Sequence, residues 1–328
     1  YGAGSEVSNF HAVHPVSNRL YVAATAPDAA DGEDDGISAN GALYALDWRL
    51  RGHNYEMIYT GMFTFDGGTG STPSVSADGK RVYVADDDGN IFALDESLDK
   101  VWELDVGEQV AASIAVAADN AELYAVTRRD IIKLFDRGDR AELAWRADLQ
   151  AFPDHDNVNA LTPTITANGL AVSIGASRDL GNNSLLMKAG FGLLDRETGA
   201  LRGFVESPEE SISVTVVDRD GGFTIAHSPV RRLGSVALFG DRLPPVRGGV
   251  TKFRSADDRL LAREAACSAA AFARRRQALP AAATAEAAQD DAQVAALLAQ
   301  ARRALARAGA EGLAESDDAA ALCAALGD

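Results

Sequence analysis

Along the first 250 or so positions, short apolar and aromatic runs alternate with clusters rich in Asp, Gly and Asn. The clearest stretch reads Ser71-Thr72-Pro73-Ser74-Val75, Ala77-Asp78-Gly79-Lys80, Arg81-Val82-Tyr83-Val84-Ala85, Asp86-Asp87-Asp88-Gly89-Asn90 and Ile91-Phe92-Ala93-Leu94-Asp95, closing on Val101-Trp102. β-Branched and aromatic runs bounded by such turn residues predict strands. Asp78-Gly79, Asp88-Gly89 and Asp220-Gly221 supply residues that tolerate the positive φ of tight hairpins. Four strands joined in this way make one antiparallel sheet.

The phrase returns. Its Leu-Asp endings fall at Asp47, Asp95, Asp136 and Asp195, which are 48, 41 and 59 residues apart, the irregularity being taken up by insertions. An earlier copy has Phe10 to Pro15, Arg19 to Ala23 and Ala42 to Asp47. A third has Ser113 to Val116, Glu122 to Val126, Ile131 to Asp136 and Trp145. The fourth has Thr162 to Ile165, Leu170 to Ile174 and Phe191 to Asp195, and a worn fifth has Ser211 to Val217, Phe223 to Ala226, Gly234 to Phe239 and Val250 to Phe253. A four-stranded sheet cannot cover both of its own faces, so a unit repeated at this period predicts sheets stacked around an axis. The expectation is an all-β propeller with about five recognisable four-stranded blades over residues 1–254.

Tyr83-Val84, Ala93-Leu94-Asp95 with Lys100 and Trp102, and Leu194-Asp195 with Thr198-Gly199 resemble the repeat of the PQQ-like, quinoprotein-dehydrogenase-like β-propellers, over roughly residues 10–204. The resemblance implies a structural role for Asp95 and Trp102 in docking one blade on the next. Rings of seven or eight blades are common in that family, and this chain has room for five or six. Catalytic members hold PQQ in a larger ring, often with an adjacent cysteine pair that this propeller lacks, so PQQ is disfavoured here.

From Ser255 the character changes to an Ala-rich tail, 255–328. Ser255 with Asp257 and Asp258 reads as a helix start, and Pro280 as its stop. A second helix is predicted from about Glu286 to Ala308, with Val294, Leu297, Leu298, Ala301 and Leu305 on one stripe and Gly309 past its end. A third, Asp317 to Leu326, follows Ser316 as its cap. The stripe must dock on the propeller or on another protein.

The formal charge is −17. The tail holds 11 acidic and 8 basic residues, or −3, which leaves −14 for the propeller. Such a surface repels phosphate backbones, and with no basic stripe in view nucleic acid is excluded as a partner. Cys267 and Cys323 stand alone in the tail, either as a pair tying the third helix to the first or as two small buried hydrophobes. No apolar stretch reaches the roughly 18–20 residues of a membrane span, and no signal-peptide pattern is present. Tyr1 in place of a Met leaves open a processed mature chain, soluble in an exported or organellar compartment.

In a propeller, the loops between second and third strands and those entering the inner strands emerge on one face. The long insertions Ala26 to Gly41 and Ala176 to Lys188 both join second to third strands, which makes that face the candidate binding surface. A rim of Arg128, Arg129, His155, Arg178, Asp179, His227, Arg231 and Arg232 is expected there, suited to a carboxylate or a protein loop. His11, His155 and His227 would suit a transition metal if they converged, and His14 and His53 complete the histidines. Asp31, Glu33 and Asp35 with Gly36 are spaced like the start of a calcium loop, but Ala42 at the twelfth position supplies no closing carboxylate. A solvated acidic loop is favoured and calcium stays open; no other cofactor is expected. Asp86-Asp87-Asp88-Gly89 reads as a hairpin turn. Gly67-Gly68-Thr69-Gly70 is not a P-loop, since no Gly-Lys-Ser/Thr follows it.

The expected function is a non-catalytic propeller that binds a protein or serves as a scaffold subunit of a larger complex. The alternatives are a quinoprotein-like redox enzyme and a calcium- or metal-dependent enzyme, such as a hydrolase, with its site in the funnel.

Overall fold

The computed structural model describes residues 10–30, 32, 38–110, 112–148, 157–167, 169–179, 184–207, 214–217, 222–227, 249–253, 258–280, 283–314 and 317–326. The chain forms two compact units, Tyr1–Arg146 and Ala147–Asp328. The division falls at 146/147, whereas the change in composition falls at 254/255. The later sheets and the helices thus belong to one unit, where Arg202 in a strand lies close enough to Glu264 in a helix to influence its charge.

In the first unit, β1 (His11–Val13), β2 (Leu20–Thr25), β3 (Gly41–Arg51) and β4 (Asn54–Phe65) form one sheet in chain order. A second comprises β5 (Ser74–Val75), β6 (Val82–Ala85), β7 (Asn90–Leu94) and β8 (Lys100–Asp105). A third comprises β9 (Ala115–Val116), β10 (Glu122–Val126), β11 (Asp130–Asp136) and β12 (Ala141–Asp148). The first copy's third and fourth strands run far beyond the repeated phrase, as a hairpin turning at Gly52-His53.

Alternation of side chains explains why these sheets must stack. Val82 and Val84 pack with Tyr21, Leu43 and Phe65 of the first sheet. Their neighbours Tyr83 and Ala85 point the other way and pack with Leu123, Ile132 and Leu134 of the third. All four residues of β6 are completely buried, so each strand needs a sheet on either side. Full burial of one such Val or Leu contributes about 1.5–3 kcal/mol.

Polar contacts at the strand ends set the spacing. The Tyr21 hydroxyl donates to the Glu96 carbonyl at 3.1 Å, and that of Tyr83 donates to Asp136 Oδ2 at 2.8 Å. The His14 ring shares a 2.9 Å hydrogen bond with the Gly79 carbonyl, and Asn120 Oδ1 accepts from the Ala77 amide at 2.6 Å. Trp102 lies in the cluster between second and third sheets, its ring 6.0 Å from that of Tyr83. Asp95 acts within its own turn, accepting from the amides of Ser97 at 2.8 Å and Asp99 at 3.0 Å. At the equivalent place in the third sheet, Asp136 reaches the neighbouring sheet.

In the second unit, β13 (Asn157–Ala160) and β14 (Thr164–Ile165) both pair with β15 (Gly169–Asp179), followed by β16 (Ser184–Asp195) and β17 (Leu201–Glu206). Most of the Ala176 to Lys188 insertion is therefore strand, with Arg178 opposite Leu185 and Asp179 opposite Ser184. The last sheet is described with three strands, β18 (Val216–Val217), β19 (Phe223–His227) and β20 (Gly249–Phe253). β20 pairs directly with β19, in the position expected for Gly234 to Phe239, and that run lies outside the described residues.

The helices α1 (Asp258–Ala278), α2 (Thr284–Arg307), α3 (Glu311–Ala314) and α4 (Ala319–Ala325) pack on one another. Ala262, Ala265, Ala266, Ala269 and Ala270 give α1 a smooth face against Leu297, Leu298, Ala301 and Leu305 of α2, with Ala319 and Leu322 of α4 against the same cluster. The stripe expected to seek an external surface is thus covered by its own neighbours. Cys267 and Cys323 form a disulfide joining α1 to α4. Asp318, not Ser316, caps α4, accepting from the amides of Ala320 and Ala321; Ser316 and Ser255 lie outside the described residues. Asp290, wholly buried, pairs with Arg275. Burial raises the Glu264 pKa, opposed by Arg263 and Arg202. Among the described residues no helix is long and apolar enough to cross a membrane.

These contacts predict three outcomes. Trp102→Ala should cost about 3–5 kcal/mol in urea unfolding as a large core truncation. Trp102→Phe should cost under about 1.5 kcal/mol, because it keeps most of the ring and removes a buried indole N–H that has no partner among the described residues. Asp195, bonded first by Arg202 and then by turn amides, has its pKa lowered to about 2. Its folded pKa is depressed, so its contribution is present at neutral pH and lost as pH falls from about 4 to about 2. The wild-type advantage over Asp195→Asn, about 0.5–1 kcal/mol for an exposed pair, should vanish across that window in thermal melts. The disulfide spans 56 residues, and by loop-closure entropy its removal in Cys323→Ser should destabilise the helices by about 4 kcal/mol, read as an earlier loss of helical circular dichroism on heating.

Candidate functional site

Within the first unit, four connections converge at one end of the strands. They are the β2–β3 insertion at Ser38 to Asn40, the β4–β5 connection at Gly68 to Gly70, the β6–β7 turn at Asp87 and the β8–β9 loop at Gln109. With Ala24, Thr25 and Gly41 at the ends of β2 and β3, they line a recess of about 360 Å³. Second-to-third-strand turns and inner-strand entries thus meet around one cavity.

Short polar contacts hold the loops. Across the base of the insertion, the Ala26 amide donates to the Asn40 carbonyl at 2.9 Å, and the Asn40 amide donates to Ser38 Oγ at 3.1 Å. Thr69 Oγ1 donates to the Ala85 carbonyl and accepts from the Ser71 amide at 2.9 Å. The Asp87 amide donates to the Gly68 carbonyl at 2.9 Å. A Cβ at Gly68 would sit 3.1 Å from Asp87 Oδ2, so that carboxylate would have to shift by a few tenths of an ångström to admit one. At Gly89, with φ of +101°, a Cβ would lie 2.7 Å from the Glu108 carbonyl, so the turn and the next loop touch only through glycine.

Among the described residues, Asp87 is the one charged residue lining the recess. Its Oδ1 accepts from Gln109 Nε2 at 2.7 Å, and Gln109 Oε1 accepts from Arg128 Nε at 2.8 Å. Carboxylate, amide and guanidinium therefore form one chain from the cavity wall to the rim. Beneath it, Asp86 accepts from the Asn90 amide at 2.7 Å and Nδ2 at 2.8 Å, while burial, the larger effect, raises its pKa. The site can accept hydrogen bonds from a cationic or amide group through Asp87 and present hydroxyl and amide groups around it.

Of the expected rim, Arg128 joins this network. Arg129 turns aside, 3.6 Å from Glu108 Oε1. Arg178 sits on β15 and His227 ends β19, sharing a 2.9 Å hydrogen bond with Thr251 Oγ1; both belong to the second unit. The side chain of Asp179, and His155, Arg231, Arg232, Asp31, Glu33 and Asp35, lie outside the described residues. His14 serves packing, with its Nδ1 accepting from the Val16 and Ser17 amides, and His53 occupies a hairpin tip. Among the described residues no group of three His, Cys, Asp or Glu could hold a metal ion. Sequence reasoning missed Gln109, Asn40 and Thr69 as site residues. Gly67 to Gly70 was the signal available, since dense glycine marks close backbone approach.

No family model matches the chain, and no curated protein does. Among solved structures, the Cps50 (Swd1) β-propeller domain of Myceliophteria thermophila is similar with a TM-score of 0.41 and 11% identity, over 64% of this chain and 76% of that one. Sqt1 from Chaetomium thermophilum is similar with a TM-score of 0.45 and 12% identity, over 66% of this chain and 53% of that one, so this chain spans about half of its length.

Proposed function

We propose that the chain is a β-propeller recognition subunit whose loop face binds a protein partner. The observation that carries this reading is the recess in which four connections from successive sheets meet around Asp87. A rigid stack of sheets fixes the loop bases, and loops held in this way are where recognition is commonly built. The volume of about 360 Å³ lies at the lower end of the range for ligand sites, enough for one long side chain or the tip of a loop. With Asp87 as its single charge among the described residues, the recess favours a Lys, Arg or amide side chain presented by the partner. A net charge of −17 on this chain steers such a partner toward it.

Asp87→Arg places a cation where a donor should enter, while the turn's backbone contacts stay available. Affinity for a partner purified with the wild-type chain should fall at least about tenfold in titration calorimetry, in line with reversing a buried polar contact, with far-ultraviolet circular dichroism unchanged. Undiminished binding by a folded Asp87→Arg chain would remove the recess from the interface and this reading with it.

A further inference from the structure

The extended β3–β4 hairpin is two-faced. Its register sets Leu46 opposite Tyr59, Trp48 opposite Met57 and Leu50 opposite Tyr55, with Tyr44 opposite Met62 beyond a bulge. These eight side chains share one face. The other carries Asp47, Arg49, Arg51 and Glu56, tied into ion pairs: Asp47 with Arg19 at 2.7 Å, and Glu56 with Arg49 at 3.2 Å and Arg51 at 3.4 Å. On the apolar face Trp48 is 45% exposed, Leu50 61%, Tyr55 71%, Met57 50%, Tyr59 57% and Met62 38%. Those six are a large part of the sixteen exposed large hydrophobic residues among the described ones, so the apolar surface is concentrated here. The rings already touch edge-on, Trp48 to Tyr55 at 5.2 Å and Tyr44 to Tyr59 at 6.4 Å between centroids.

At roughly 150–250 Å² per large side chain, the exposed fractions amount to about 600 Å², the upper end of the range for the largest patch on a monomer, where such patches are often functional. A two-stranded ribbon projecting into water with one apolar face is marginal by itself. We propose that this ribbon is a self-association surface, packed face to face on the ribbon of a second copy of the chain about a two-fold axis. Two copies would bury about 1,200 Å² together, the lower bound of a standard interface. Local charge on the ribbon does not oppose a second copy. Residues 41–65 hold two acidic (Asp47, Glu56) and two basic (Arg49, Arg51) residues, a net of zero in a chain of −17, and none of them lies on the apolar face. A two-fold axis through that face therefore brings no like charges together.

Sedimentation equilibrium of the full chain tests this, read together with the concentration dependence of Trp48 emission, using Trp48→Phe to subtract Trp102 and Trp145. The wild type should rise from 34.4 kDa to twice that mass as concentration increases, with Trp48 emission shifting to the blue in step. Met57→Glu, which would set two carboxylates against each other, should stay at 34.4 kDa with unchanged circular dichroism. If that variant fails to fold, Tyr55→Ser, which removes a ring and adds no charge, should weaken association at least tenfold. A wild type that stays monomeric at every concentration overturns the proposal, as does a folded ribbon variant that dimerises undiminished. So do a monomer whose Trp48 already emits as a buried indole, meaning that another part of the chain covers the face, and a one-to-one complex with a different protein by a chain that is monomeric alone.

Discussion

β6, at the heart of the first unit, has no polar side. Val82 and Val84 face the first sheet while Tyr83 and Ala85 face the third, and all four are shut away from water. A strand apolar on both faces cannot lie at the surface of a two-layer protein, so the sheets stack in series. Polar groups are then driven to the strand ends. The Leu-Asp repeat carries that requirement in different ways: Asp95 closes its own turn, Asp136 bonds a neighbouring sheet through Tyr83, and Asp47, inside β3, pairs with Arg19. The connections are left free of packing duty at one end, and the recess forms where four of them meet.

The sheets were legible because that double constraint is local. Alternating apolar residues between Asp-Gly turns can be read without knowing what they touch, and the strands of the second and third copies fall where the pattern puts them. Strand length was less legible. Residues 48–59 alternate as a strand should, but they lie outside the repeated phrase and carry Arg, Gly, His and Asn that look like loop. On Ala176 to Lys188 the same happened, since Gly, Ser and Asn hide a hairpin extension paired through the backbone. The tail misled in another way: Leu297, Leu298 and Leu305 announce a helix in need of a surface, yet the surface is the alanine face of α1, whose small side chains give a weak signal.

The recess was legible as a face and not as a set of residues. Which loops share an end of a stacked sheet follows from strand order alone, and Arg128 sits on that end for this reason. Which side chains meet there depends on separations from Ala24 to Gln109 that no spacing in the sequence encodes. Asp87 looked like one acidic turn residue among three. Its neighbour Asp86 bends inward to bond Asn90, and this leaves Asp87 as the one that meets Gln109.

β3 connects the two surfaces for which function is proposed. Gly41 at its start lines the recess, and Leu50 near its end belongs to the apolar ribbon, so the two sites lie about 30 Å apart along one extended strand at the usual rise per residue. Tyr44 stands between them, its hydroxyl donating to the Thr25 carbonyl in the recess wall at 2.9 Å while its ring meets Tyr59 of the ribbon. None of the ribbon's apolar side chains lines the recess, so pairing ribbon to ribbon uses none of its lining residues. A dimer built in this way would present two identical recesses, and a partner carrying two donor loops would bind with the gain of an intramolecular second step, provided that its loops span the separation. Ribbon and recess would then act as one device, with affinity set at Asp87 and valency set at Trp48, Met57 and Tyr55.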